Sequence, residues 1–174
     1  MAAGSTYTPI ATTTLGSAAT TVTFSSISGA YTDLILAIAG RGTRTGNTVD
    51  GNIKFNSDSG SNYSVTYLYG DGSAASSARA SNQSAGNAGL WYPAASTTSG
   101  IFTANTIQIM NYSNTTTNKT WITRDSNQSN TGALVGASVN LWRSTAAINR
   151  IDLTLGVGDW ATGSTFTLYG IAAA

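Results

Sequence analysis

The sequence predicts an all-β chain folded as a single antiparallel β-sandwich over residues 1–174, and three observations point there. Val, Ile, Thr, Tyr, Phe and Trp make up 62 of the 174 residues, Glu is absent and Lys occurs twice. That balance suits a pleated, half-buried strand surface far better than a helix. Apolar residues recur with a period of two wherever the chain is apolar. Turn-forming Gly, Asn and Asp residues separate these runs at roughly the 8 to 12 residue spacing of sandwiches. The expected architecture is jelly-roll-like, with eight to ten strands.

Taken in order, the chain opens on an uncharged stretch to about residue 10, predicted to be a short extended segment that reaches a neighbouring molecule. Its candidate contacts are Tyr7 and Pro9, and proline suits a terminal or edge position. Thr20 to Ser25 turns Val22 and Phe24 inward, and Asp33 to Ala39 does the same with Leu34, Leu36 and Ile38. Asn56 to Asn62 spaces side-chain oxygens two apart but has one carboxylate where a calcium loop has several. It reads as a hairpin turn between Phe55 and Tyr63. Val65, Tyr67 and Tyr69 share one face of the next run.

Ser73 to Gly89 holds small and polar side chains with one Arg, so it predicts an exposed, mobile loop, and Pro93 falls in a loop after it. Thr106 to Tyr112 carries Ile107 and Ile109, Lys119 to Arg124 carries Trp121, and Val135 to Arg143 carries Val139 and Leu141 toward the core. Ile151, Leu153, Leu155 and Val157 alternate with Asp152, Thr154, Gly156 and Gly158 in the clearest strand of all. Thr165 to Ile171 closes the chain with Phe166 and Leu168 inward. Gly4-Ser-Thr-Tyr-Thr recurs as Gly163-Ser-Thr-Phe-Thr: either five common residue types coincide by chance, or the two stretches hold equivalent edge positions, as first and last strands side by side.

Composition narrows the chemistry. Charged residues are 9% of the chain, against about 25% in ordinary domains, and Ser and Thr supply 50 residues. Hydroxyls, amides and glycine must therefore cover the surface. Histidine, cysteine and glutamate are all absent, which leaves general acid–base catalysis with seven Asp, most at turn positions where their carboxylates bond the backbone. The chain is expected to be no enzyme, with no cofactor and no metal. A net charge of +1 and six scattered Arg exclude a phosphate-neutralising stripe, so no nucleic acid is expected. No apolar run approaches a membrane span, and without a leader-like start the expectation is a chain made in the cytoplasm. Six Asn-x-Ser/Thr triplets follow from the abundance of Asn, Ser and Thr.

The remaining candidates are interaction residues. Trp91 and Tyr92 follow the small-residue segment, and adjacent exposed aromatics give large contact area at little rotamer cost. The alternative is an anchor that plugs one end of the sandwich. Arg143 ends an apolar run, where it could stack on an aromatic ring or reach a carboxylate across a subunit boundary. Trp121, Trp142 and Trp160 lie in or beside strand patterns and read as core.

The strings Thr14-Leu-Gly-Ser-Ala-Ala-Thr-Thr-Val-Thr-Phe-Ser-Ser-Ile27, Tyr31-Thr-Asp-Leu34, Leu141-Trp-Arg-Ser144 and Gly163-Ser-Thr-Phe-Thr-Leu-Tyr-Gly-Ile171 resemble those of short virion proteins of tailed bacteriophages. The resemblance runs end to end and carries no catalytic motif. It implies a capsid decoration (cement) protein or a small tail-fibre or tail-tip protein, located in the virion and forming a homo-oligomer, a trimer. The partner implied is the major capsid protein or another virion protein. In the tail alternative it is a host surface glycan contacted by Trp91, Tyr92 and the Ser73 to Gly89 segment.

Overall fold

A computed structural model describes residues 6–129 and 132–172. Met1 to Ser5, half of the expected extended segment, and Asn130-Thr131 lie outside the described residues. Twelve strands form: β1 (Tyr7–Thr14), β2 (Thr21–Phe24), β3 (Asp33–Gly40), β4 (Thr48–Phe55), β5 (Tyr63–Gly70), β6 (Ala75–Gln83), β7 (Gly86–Pro93), β8 (Thr103–Met110), β9 (Lys119–Ser129), β10 (Gly132–Trp142), β11 (Ile151–Leu155) and β12 (Thr165–Ile171). All pairings are antiparallel, in an eight-stranded sheet ordered β1-β12-β3-β8-β9-β10-β5-β6 and a four-stranded sheet ordered β2-β11-β4-β7.

Removing two hairpins, β5–β6 and β9–β10, leaves two four-stranded sheets, β1-β12-β3-β8 and β2-β11-β4-β7. Successive strands of this remainder cross from one sheet to the other at every step except β4 to β7. That is the jelly-roll arrangement of eight strands. The two hairpins are insertions that join edge to edge and widen one sheet by four strands, about 19 Å at the usual strand spacing. The expected eight to ten strands become twelve for this reason.

The core of the jelly roll follows the predicted alternation. Leu34, Leu36 and Ile38 of β3, Ile107 and Ile109 of β8, Phe166 and Leu168 of β12, and Val22, Phe24, Ile151, Leu153 and Leu155 opposite them are buried. Trp121, Trp142 and Trp160 are buried as expected. Trp160 sits edge-on to Tyr92 at 4.8 Å and to Phe166 at 5.0 Å, and Trp121 edge-on to Phe55 at 4.9 Å. Val157 falls beyond β11 and is exposed. Arg41 donates to the carbonyls of Ala94, Thr97, Thr98 and Ile101 and so ties the β7–β8 connection to the sandwich.

Several local expectations are corrected. Asn56 to Asn62 is no hairpin, because β4 and β5 belong to different sheets and the segment arches between them. Its Asp58 carboxylate accepts bonds from the Gly60 amide at 2.8 Å, Asn62 Nδ2 at 2.9 Å and the Trp142 indole at 2.7 Å, so the arch is closed by its own side chains. The predicted loop Ser73 to Gly89 is mostly strand, β6 and the start of β7. Residues 73–79 are exposed as expected, yet an edge strand is held by backbone bonds and needs no large apolar side chain. Pro93 ends β7 rather than sitting in a loop. The first and last strands do pair, β1 with β12, but β12 is interior, with β3 on its other side.

Candidate interaction surface

The predicted contact residues are scattered. Tyr7 is 55% exposed and Pro9 is exposed, both on β1 at one edge of the large sheet, where Tyr7 meets Tyr169 edge-on at 6.5 Å. The segment is therefore an edge strand from Tyr7 on, and not a free arm. Arg143 is exposed just after β10; its N–H donates to the Asn62 carbonyl at 2.9 Å and its guanidinium to Ser64 Oγ. Tyr92 is corrected outright: it is fully buried, with its hydroxyl donating to the Ala88 carbonyl at 2.7 Å.

Trp91 is half-buried, held in β7 by a bulge that sets Leu90 and Trp91 against Asp50. Its φ of +59° lies in the left-handed region, where a bulky residue is strained by about 1–2 kcal/mol. Two side chains hold that backbone, since the N–H donates to Asp50 Oδ1 at 3.2 Å and the carbonyl accepts from Asn127 Nδ2. The ring meets Tyr69 edge-on at 4.6 Å, and Tyr69 stacks on Tyr67. Trp91, Tyr67 and Tyr69 thus form a half-exposed aromatic row. Ser64, which anchors Arg143, is five residues back along β5 from Tyr69, about 16 Å away, so Trp91 and Arg143 do not share a site.

The larger departure lies on the β9–β10 hairpin. On β10 the predicted faces are reversed: Ser138, Asn140 and Trp142 point inward, while Val135 and Val139, the latter predicted to face the core, are 63% and 59% exposed. Leu141 is half-exposed. Inward from β9, beyond Trp121, come Thr123, Asp125 and Asn127, all buried. The cause is β7. This strand is the edge of the small sheet, it packs beneath β8, β9 and β10, and its backbone would otherwise be left with open hydrogen-bonding groups. Asn140 Oδ1 accepts the Asn87 N–H at 3.1 Å, and the Asn87 carbonyl accepts from the Trp121 indole at 3.0 Å and from Thr123. Gly86 and Gly89 let the strands come this close: a Cβ at Gly86 would overlap the Trp121 ring, and Gly89 has φ +135° against Asn105.

Asn105 and Asp125, direct neighbours across the β8–β9 ladder, are left over in this polar interior, and none of their side-chain oxygen or nitrogen atoms makes a hydrogen bond of normal geometry among the described residues. Burial lifts the Asp125 carboxyl to about 7; the Leu90 backbone pulls against that rise and the Asp50 charge adds to it. No group of three or more metal-ligating side chains occurs among the described residues.

Outward, the same strands present an apolar groove lined by Thr66, Leu68, Ser77, Ile122, Ala137 and Val139. Leu68 is 62% exposed. Arg79 and Arg124 stand on this face, opposite Thr66 and Ala137 in the ladders, and the groove residues themselves carry no charge. The alternation signals these strands in the sequence but not which side meets a partner sheet. Further along the same face, threonine pairs across β1 and β12 bond to one another, Thr12 with Thr167 at 3.2 Å and Thr14 with Thr165 at 3.0 Å.

No family model and no curated protein matches this chain. Among solved structures, the galectin LEC-6 of Caenorhabditis elegans is similar over 90% of this chain and 94% of its own, at 10% sequence identity and a TM-score of 0.32.

Proposed function

We propose that this chain is a bacteriophage virion structural protein, a capsid decoration or cement protein that binds the major capsid lattice as a homo-oligomer and transforms no substrate. The observation that carries the reading is the inverted hairpin β9–β10, whose polar side chains go in while Val135 and Val139 go out. Apolar side chains grouped on an exposed sheet face favour burial against another protein at about 25 cal/mol per Å². Such a contact owes little to charge, so it tolerates wide changes in ionic strength, as a particle part must. An oligomer engages several lattice subunits together, and the effective concentration of the second contact multiplies modest affinities.

Mass spectrometry of purified particles tests the location. A head lattice requires on the order of hundreds of copies in register with the capsid subunits; a few dozen copies or fewer would remove the cement reading. The half-exposed row Tyr67, Tyr69 and Trp91 favours a second reading, a tail-tip module that stacks its rings on a host surface glycan. Trp91→Ala would then abolish adsorption to host cells, whereas a cement protein with that change leaves adsorption intact and lowers head stability to heat at most slightly.

A further inference from the structure

The two sheets have four edges, β1, β6, β2 and β7, and three of them are blocked by different devices. In β1, Pro9 lacks an N–H and a bulge breaks the register between Pro9 and Ala11. β2 has four residues, too short to template a partner strand. β7 has its open backbone groups capped from inside by Asn140, Trp121 and Asn127. β6 lacks proline and inward caps, and its bulge, where Ser81 and Asn82 oppose Ser64 and Asn82 takes φ +55°, comes only after six regularly paired residues. It runs nine residues from Ala75 to Gln83 without proline, with every residue exposed except the half-buried Ala80. Its one charge is Arg79, and it pairs with β5 without a break from Ala75 to Ala80.

We infer that β6 pairs antiparallel with β6 of a second copy, joining the two eight-stranded sheets edge to edge about a two-fold axis. Three features single out a second copy as the occupant. Ala and Ser on both faces of the strand let it lie against itself without steric conflict. A two-fold contact closes, so it uses up the open edge of both chains and leaves no template for further growth. Charge also sets the register: centred on Arg79 the pairing would oppose two guanidinium groups, whereas centred on Ser77 or Ala78 it places Arg79 opposite Ala75 or Ser77 of the second copy. Ser77 lines the outer apolar groove, so the pairing brings the grooves of the two chains side by side on one continuous face. The result is a dimer in place of the trimer that the sequence resemblance implies. The inference stands on edge geometry and holds whether or not the protein resides in a virion.

Size-exclusion chromatography with light scattering on the purified chain tests it. The expected mass is about 36 kDa, twice the 17.8 kDa of one chain. Ser77→Lys opposes like charges in either allowed register, because the introduced ammonium meets its own copy in one and Arg79 in the other. It is expected to weaken dimerisation at least tenfold with an unchanged circular dichroism spectrum. Thr21→Lys on the short β2 edge, exposed in the same way, is expected to leave the dimer intact. A monomeric or trimeric wild-type chain overturns the inference, as does a Ser77→Lys protein that dimerises like wild type or a Thr21→Lys protein that dissociates to the same extent.

Discussion

The jelly-roll half of the molecule and the hairpin extension are built from the same residue types with opposite orientation. In β3, buried Leu34, Leu36 and Ile38 meet the small sheet, and the outward Ala37 and Ala39 are small. In β10, buried Asn140 accepts from the Asn87 backbone of β7 and buried Ser138 donates to the Asn87 side chain, while outward Val135 and Val139 are left to solvent. An opposing sheet supplies apolar side chains and asks for the same in return. An opposing strand edge supplies unpaired N–H and C=O groups and asks for amides and hydroxyls. What lies across the gap therefore decides which half of an alternating strand is buried.

The comparison yields graded predictions. Trp160→Ala, at the centre of the jelly-roll aromatic cluster, is expected to lose about 3–5 kcal/mol, read as a lower urea midpoint; a loss below about 1 kcal/mol would mean that this half is not the stability core. Next comes the extension's buried acid. The folded Asp125 carboxyl titrates at about 7, above its ordinary 3.8, so its contribution is full below about pH 4 and declines as pH rises, reaching its minimum above pH 7. The difference is roughly 4 kcal/mol. Asp58 and Asp152 act in the opposite sense. Burial pushes both up, but the Trp142 indole and Asn62 at Asp58, and Arg150 and Thr23 at Asp152, hold them below the usual carboxylate range. Their contributions are present above about pH 4 and fade as pH falls below it. Between about pH 4.5 and 7.5 the slope therefore belongs to Asp125, and Asp125→Asn should flatten it; parallel urea-unfolding profiles for variant and wild type would refute this.

A smaller effect is expected at the arch. Asp58→Ala strands the buried Trp142 indole N–H and opens the Asn62 and Gly60 contacts, at about 1–3 kcal/mol. Thermal denaturation at neutral pH reads it, and Asp58→Asn should recover part of the loss by keeping an acceptor for the indole. The smallest effect sharpens the comparison most. Val139→Ser in the isolated chain should change stability by less than about 0.5 kcal/mol, because the side chain already faces water. A loss of about 2 kcal/mol or more would place Val139 in the core, as its alternation suggests.

Much of the jelly-roll half is legible from the residues. The positions of β2, β3, β8, β11 and β12 and their inward side chains follow from period-two alternation, whereas β1 lies beside β12 with the two Gly-Ser-Thr-aromatic-Thr strings at opposite ends of the ladder, so the repeat itself does not fix that pairing. The extension is less legible. β6 has no apolar alternation to detect, since an edge strand with both faces exposed selects no pattern. In the sequence Tyr92 reads as half of an exposed aromatic pair with Trp91, yet the bulge at Asp50 separates the two neighbours, one toward Tyr69 and one into the core beside Trp160.

The residue order by itself determined that the chain forms strands, where most of them begin and turn, and that its surface is covered by hydroxyls, amides and glycine more than by charge. These are local properties, set by side-chain shape, backbone freedom and composition. The tertiary structure decided that β5–β6 and β9–β10 join into one extension, that the polar residues of β9 and β10 turn inward, and that β6 is left as an open edge. Those outcomes depend on what each strand faces across the sandwich, and that neighbour comes from a distant part of the chain.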